Sequence, residues 1–128
     1  MTYETTIPVR YRDLDPMGHV NNAVYCTYLE EIRTAFFDDE VGVDLADSEA
    51  ALASLDIDYR APIRGTGSVR AVLEVADVGT SSLTFAYELH AEGSLVAEAE
   101  TVQVALADGE PAPLPDAVRE AAERHVAE

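Results

Sequence analysis

The sequence predicts an α+β domain, an antiparallel sheet of five or six strands wrapped around one long central helix. Two observations carry that expectation. Between Asn22 and about Glu40, Val24, Tyr25, Tyr28, Leu29, Ile32, Ala35 and Phe36 recur at spacings of three and four, which makes one broad apolar helical stripe. Before and after it, apolar and polar residues alternate with the period of half-buried strands. A helix apolar over that width and strands apolar on one face satisfy both surfaces by packing against each other. The chain has 128 residues. That length suits one domain spanning residues 1–128, because a second would leave too little core in each.

The elements follow in order. Tyr3 to Arg12 places Ile7, Val9 and Tyr11 on one face of a first strand. The segment Asp13-Leu14-Asp15-Pro16-Met17-Gly18-His19-Val20-Asn21-Asn22 is dense in turn formers, and Asn21 or Asn22 offers an N-cap to the long helix. Gly42 is its stop signal. Gly42 to Glu49 reads as an acidic loop or a short helix. Ala51 to Ala61 is a strand ending at Pro62, and Ser68 to Val78 is the next. Gly79 to Ser82 makes a turn into a strand faced by Leu83, Phe85, Tyr87 and Leu89. Glu92-Gly93-Ser94 is a tight hairpin signal. Leu95 to Leu106 is a long last strand whose apolar phase slips near Thr101, which suggests a bulge there. A hinge with Pro111, Pro113 and Pro115 leads to a C-terminal helix with Val118, Ala121, Ala122 and Val126 as its weak apolar face. The four strands after the long helix are expected to form a meander. Five strands around one helix leave exposed edges, so self-association into a homodimer or homotetramer is expected.

Composition excludes several classes of function. The net charge is −17, and all eight basic residues are arginines. Such a surface repels nucleic acid and anionic lipid, so no nucleic-acid and no membrane partner is expected. The acidic residues are spread along the chain, as in proteins of halophilic archaea, where high salt screens self-repulsion. Met1 to Pro8 lacks the regions of a signal peptide and no apolar run reaches about 20 residues, so the cytoplasm is the expected location. A single cysteine, Cys26, rules out an internal disulfide. It lies beside the helical core stripe and reads as a core cysteine. His19, His90 and His125 fall on different elements with no ligand spacing, and no metal site is expected.

Chemistry concentrates at residues 13–22, where two carboxylates, one imidazole and two amides gather at a strand-to-helix junction. The free amides of a buried helix start present partial positive charge. A carboxylate, helix-end donors and a glycine allowing close approach suit acyl transfer: the donors hold a developing oxyanion while the carboxylate attacks or activates water. The same spacing also suits Asp13 and Asp15 as plain turn caps.

The run Val9-Arg10-Tyr11-Arg12-Asp13-Leu14-Asp15-Pro16-Met17-Gly18-His19-Val20-Asn21-Asn22-Ala23-Val24-Tyr25, followed by Tyr28-Leu29-Glu30, resembles the junction signature of the 4-hydroxybenzoyl-CoA thioesterase-like hot-dog family. Ile57-Asp58-Tyr59-Arg60-Ala61-Pro62 resembles that family's later strand. The resemblance implies a hot-dog fold and hydrolysis of an acyl-CoA thioester with no metal or redox cofactor. It implies Asp15 as the catalytic carboxylate and the Asn22 backbone amide as the donor polarising the carbonyl. Gly18 falls at the tight turn, and Asn21, His19 and Tyr25 line the substrate's surroundings. Tyr25 is expected to pack, and Asp13 to support. Arg60, Arg64 and Arg70 form the densest positive cluster; Arg60 and Arg64 are candidates for the nucleotide phosphates, with ion pairing to nearby carboxylates as the alternative. An acyl-carrier-protein thioesterase and a non-catalytic acyl-CoA-binding module remain open at this point.

Overall fold

The computed structural model describes residues 1–43 and 49–127. The apolar stripe forms helix α1, Val24–Phe36, and the helical path continues through a wider π-type turn over Phe37–Val41 before Gly42 ends it. The core positions of the stripe are as predicted: Tyr28, Leu29, Ile32 and Phe36 are fully buried. Burying such a side chain stabilises the fold by roughly 1.5–3 kcal/mol each. Most of the predicted segment from Gly42 to Glu49 lies outside the described residues.

The strands are β1 (Tyr3–Pro8), β2 (Ala50–Tyr59), β3 (Ser68–Val78), β4 (Ser82–Ala91) and β5 (Ser94–Ala107), with a two-residue β6 (Glu110–Pro111) on β5. All pair antiparallel, and the sheet curls around α1 with Val69, Leu73, Leu83, Phe85 and Leu89 on its concave face. This is the hot-dog arrangement. The β4–β5 hairpin turns on Glu92 and Gly93, both at positive φ (52° and 79°), the primed turn that matches strand twist. Helix α2, Asp116–Arg124, docks Val118, Ala121 and Ala122 into the core. His125 follows it, buried, with Nδ1 2.9 Å from the Ala121 carbonyl and its ring edge-on to Phe36.

Two expectations need correction. Only β3, β4 and β5 form a meander: the sheet order is β1-β3-β4-β5-β2, so β2 leaves its sequence neighbour β3 and pairs with β5 at the far edge. Residues 60–67 between β2 and β3, with Pro62 and two glycines, are a connection across the fold and not a hairpin. Nor is there a bulge at Thr101, which stays in register with Phe85 and is fully buried. In β5 the register shifts at Val96 instead, and further bulges fall at Ala53 of β2 and Ala76 of β3. The apolar phase slips near Thr101 because a buried hydroxyl occupies a concave-face position while Val102 and Val104 lie half-buried on the outer face. No helix among the described residues is long and apolar enough to cross a membrane.

Candidate active site

The junction from Asp13 to Asn22 folds as a tight turn held by backbone bonds. The Gly18 amide donates to the Asp15 carbonyl at 2.9 Å, and the Asp15 amide donates to the His19 carbonyl at 2.7 Å. Gly18 sits at φ 78°, in the left-handed region, so a side chain there is strained even though a Cβ meets nothing within 4 Å. The turn is pinned to the connection after β2: the Val20 amide reaches Ile63 O at 2.8 Å and the Gly65 amide reaches Gly18 O at 2.9 Å. That short ladder brings the two segments of the sequence signature together.

The two carboxylates of the turn have different surroundings. Asp13 is buried; its Oδ2 accepts from the Arg10 amide at 2.9 Å and from the Tyr28 hydroxyl at 2.7 Å. Burial opposes its charge, but these two bonds and the Arg10 and Arg12 guanidiniums hold its carboxyl below the ordinary carboxylate range. Burial and the bond to Asp13 push the Tyr28 phenol well above its usual value. Asp15 is half-buried. Its Oδ1 accepts from the amides of Met17 at 2.8 Å and His19 at 3.1 Å, and its Oδ2 has no partner among the described residues.

Asp15 lines an open cleft of about 340 Å³ together with His19, Asn22, Tyr25, Tyr59 and Arg60. At the start of α1 the Ala23 amide donates to Asn21 Oδ1, Val24 to Asn21 O and Cys26 to Ala23 O. The N-cap is Ala23, with no side-chain cap bond, so neither Asn21 nor Asn22 caps the helix as expected; Asn21 instead braces the turn before it, and the helix begins two residues later than its pattern suggested. The Asn22 amide has no acceptor among the described residues. Tyr25 is buried, packing edge-on against Tyr59 with ring centroids 4.9 Å apart. Burial raises its phenol, against a lowering bond from the Ile63 amide.

The three arginines of the predicted cluster are not equivalent. Arg60 lines the cleft but pairs with Glu98 at 2.7 Å, and Arg70 pairs with Glu4. Arg64 has no ion pair among the described residues. It borders a neighbouring hollow of about 270 Å³, formed with Gly65, Thr66, Gly67 and Ser68, which shares Ala61 and Pro62 with the Asp15 cleft.

Two features escaped the sequence reading. Tyr59 closes the cleft by donating from its hydroxyl to Asn22 O at 2.9 Å; its place in the Ile57–Pro62 signature was the available signal. Cys26 is exposed, not a core residue. Its neighbour Tyr25 is buried, so the edge of the apolar stripe falls between two adjacent positions of the helix.

The family model of the thioesterase-like superfamily matches residues 9–122. A thioesterase from Thermus thermophilus, solved with coenzyme A and zinc, is 36% identical, covering 94% of this chain and 91% of that one, with a TM-score of 0.86. The PA5185 protein of Pseudomonas aeruginosa PAO1 is 26% identical over 98% of this chain and 92% of its own, with a TM-score of 0.89. The uncharacterized protein YsmA of Bacillus subtilis is 29% identical over 82 residues, which cover 63% of this chain and 56% of that relative. With its fold and nearly all its length matched, the chain belongs to the thioesterase-like superfamily.

Proposed function

We propose that this chain hydrolyses acyl-CoA thioesters in the manner of the 4-hydroxybenzoyl-CoA thioesterase-like enzymes, as one catalytic domain. The observation that carries the reading is the pairing of a half-free carboxylate with an unclaimed amide. Asp15 spends one oxygen on its turn and keeps the other open to the cleft, and the Asn22 amide in the same cleft has no acceptor among the described residues. A thioester carbonyl oxygen on the Asn22 amide would place its carbon before Asp15, with the helix start stabilising the oxyanion. Asp15 then attacks the carbon directly or takes a proton from an attacking water. By either route the C–S bond breaks, water supplies the oxygen of the free acid, and the proton goes to the coenzyme A sulfur. His19, Gly18, Asn21 and Tyr25 shape the cleft around the reacting carbon. The hollow beside Arg64 lies next to it and suits the nucleotide phosphates, since Arg64 is the cluster member without an ion pair among the described residues. Arg60 serves there only by giving up Glu98.

Along the edge strand β2, Leu52 and Tyr59 remain 43% and 48% exposed, so a second copy pairing along this edge would cover them and complete the cleft's outer wall. The site is therefore read as working in a homodimer, or a dimer of dimers. The charge of −17 fits a cytoplasm of high salt. Dilution from molar to millimolar potassium chloride should unfold or dissociate the protein by circular dichroism and sedimentation; an unchanged fold and assembly would reject that adaptation.

The test of the reaction is thiol release from short, long and aromatic acyl-CoAs at high salt, wild type beside Asp15→Asn. Release that disappears in the variant supports the assignment. Silence of the folded wild type across the panel moves the weight to a carrier-protein thioester or to binding without hydrolysis.

A further inference from the structure

Among the described residues Arg33 is the one arginine in the buried core, at 6% exposure on the sheet-facing side of α1. Its Nη1 donates to the Tyr87 hydroxyl at 3.2 Å, and that oxygen lies 2.6 Å from Thr101 Oγ1. Tyr87, its one side-chain partner among the described residues, is neutral, and no carboxylate among them lies within ion-pair distance of the guanidinium. With one neutral hydrogen-bond partner and no carboxylate paired to it, this guanidinium has more to gain from an anion beside it than a surface arginine has. Burial raises the Tyr87 phenol, and Arg33 works in the opposite direction.

The strand register connects this cation to the Asp15 cleft. Along the concave side of β2 run Tyr59, Ile57 and Leu55, which face Ala97, Ala99 and Thr101 of β5. Tyr59 lines the cleft, Ile57 and Leu55 are half-buried, and Thr101 is the hydroxyl that meets Tyr87 and so Arg33. The register thus sets a row of side chains between Tyr59 of the cleft and the Thr101–Tyr87–Arg33 chain of hydrogen bonds. We infer that Arg33 determines acyl specificity: the row holds the acyl chain, and the guanidinium takes a carboxylate at the chain's far end. This rests on the thioesterase reading and names its substrate class, the CoA thioester of a dicarboxylic acid. From Val24 to Arg33 the helix advances about 14 Å, and an arginine side chain leans back toward the helix start, leaving on the order of 10 Å, or about eight bonds of extended chain.

Isosteric pairs test this in the wild-type protein without any variant. Thiol release is compared for adipoyl- against hexanoyl-CoA and suberoyl- against octanoyl-CoA at high salt. The carboxylated member of the longer pair should win by about tenfold or more in kcat/KM, a discrimination within reach of a buried charge pair. Arg33→Met should bring the ratio of suberoyl- to octanoyl-CoA turnover down to about one, and Arg33→Lys should keep part of the advantage. A wild type indifferent to the carboxylate, or an Arg33→Met that slows both members alike, overturns the inference. Calorimetric titration of free suberate against octanoate separates it from the parent reading. Suberate binding that Arg33→Met abolishes sustains the anion site even if no thioester is hydrolysed; no binding in the absence of hydrolysis overturns both.

Discussion

Asp13 and Asp15 stand two residues apart in one turn, carry the same side chain, and have opposite surroundings. The side chain of Asp13 points inward, under α1, where an amide and the Tyr28 hydroxyl fix one oxygen and positive neighbours hold the charge. The side chain of Asp15 points outward to the cleft, where turn amides hold one oxygen and leave the other open. The first arrangement stores stability: a buried carboxylate with satisfied bonds joins the end of β1 to the long helix. The second holds a carboxylate in orientation by two amides without neutralising it, which is what the proposed reaction requires of Asp15. Two aspartates of one signature can thus differ wholly in their surroundings, and the direction of each side chain relative to the buried helix sets which one keeps an oxygen free.

Substitutions at the two positions should separate these roles. The largest effect belongs to Asp15→Asn, which keeps the shape and removes the charge. Thiol release should fall by about a thousandfold, some 4 kcal/mol in the barrier, with the unfolding midpoint almost unchanged. A variant that unfolds early but retains turnover would reverse the assignment of the two residues. Next comes Asp13→Ala, which strands the Tyr28 hydroxyl and the Arg10 amide in the core. It should cost about 2–4 kcal/mol of stability in denaturant titration at high salt, since bonds to a buried charge are each worth about 1.5–3 kcal/mol. The smallest effect is the acid dependence of the same residue. The folded pKa of Asp13 is depressed, so its stabilisation is complete above the unfolded carboxylate value of about 3.9 and is lost as the pH falls through the folded value. Wild-type stability should therefore drop more steeply than that of Asp13→Ala below about pH 4, by at most about 1.4 kcal/mol per pH unit from this one group. Parallel curves would mean that the carboxylate is not the charged, bonded group described.

Much of the molecule was readable before any coordinates. The helical stripe over Val24–Phe36, the alternation of Ser68–Val78 and of Leu83–Leu89, and the Glu92-Gly93 turn are local patterns, and local patterns need only the neighbouring residues to be recognised. The clustering of site residues at 13–22 was legible for the same reason, since the turn and helix start lie within one stretch of chain. The contact of Tyr59 with Asn22 was not, because it depends on which strand end lies beside the start of α1, and the exposure of Cys26 turns on where the edge of the helical stripe falls.

What the sequence by itself determined is therefore the set of elements, their apolar faces, the turn that carries Asp15 and the superfamily signature. The tertiary structure decided the rest. It sent β2 past β3 to pair with β5, placing Tyr59 against Asn22 and setting Ile57 and Leu55 opposite Ala99 and Thr101. It also turned Asp13 inward and Asp15 out. The physical reason is that periodicity fixes which face of a strand is apolar but is blind to which strand lies next to it, and a carboxylate's chemistry is set by the groups brought around it in space.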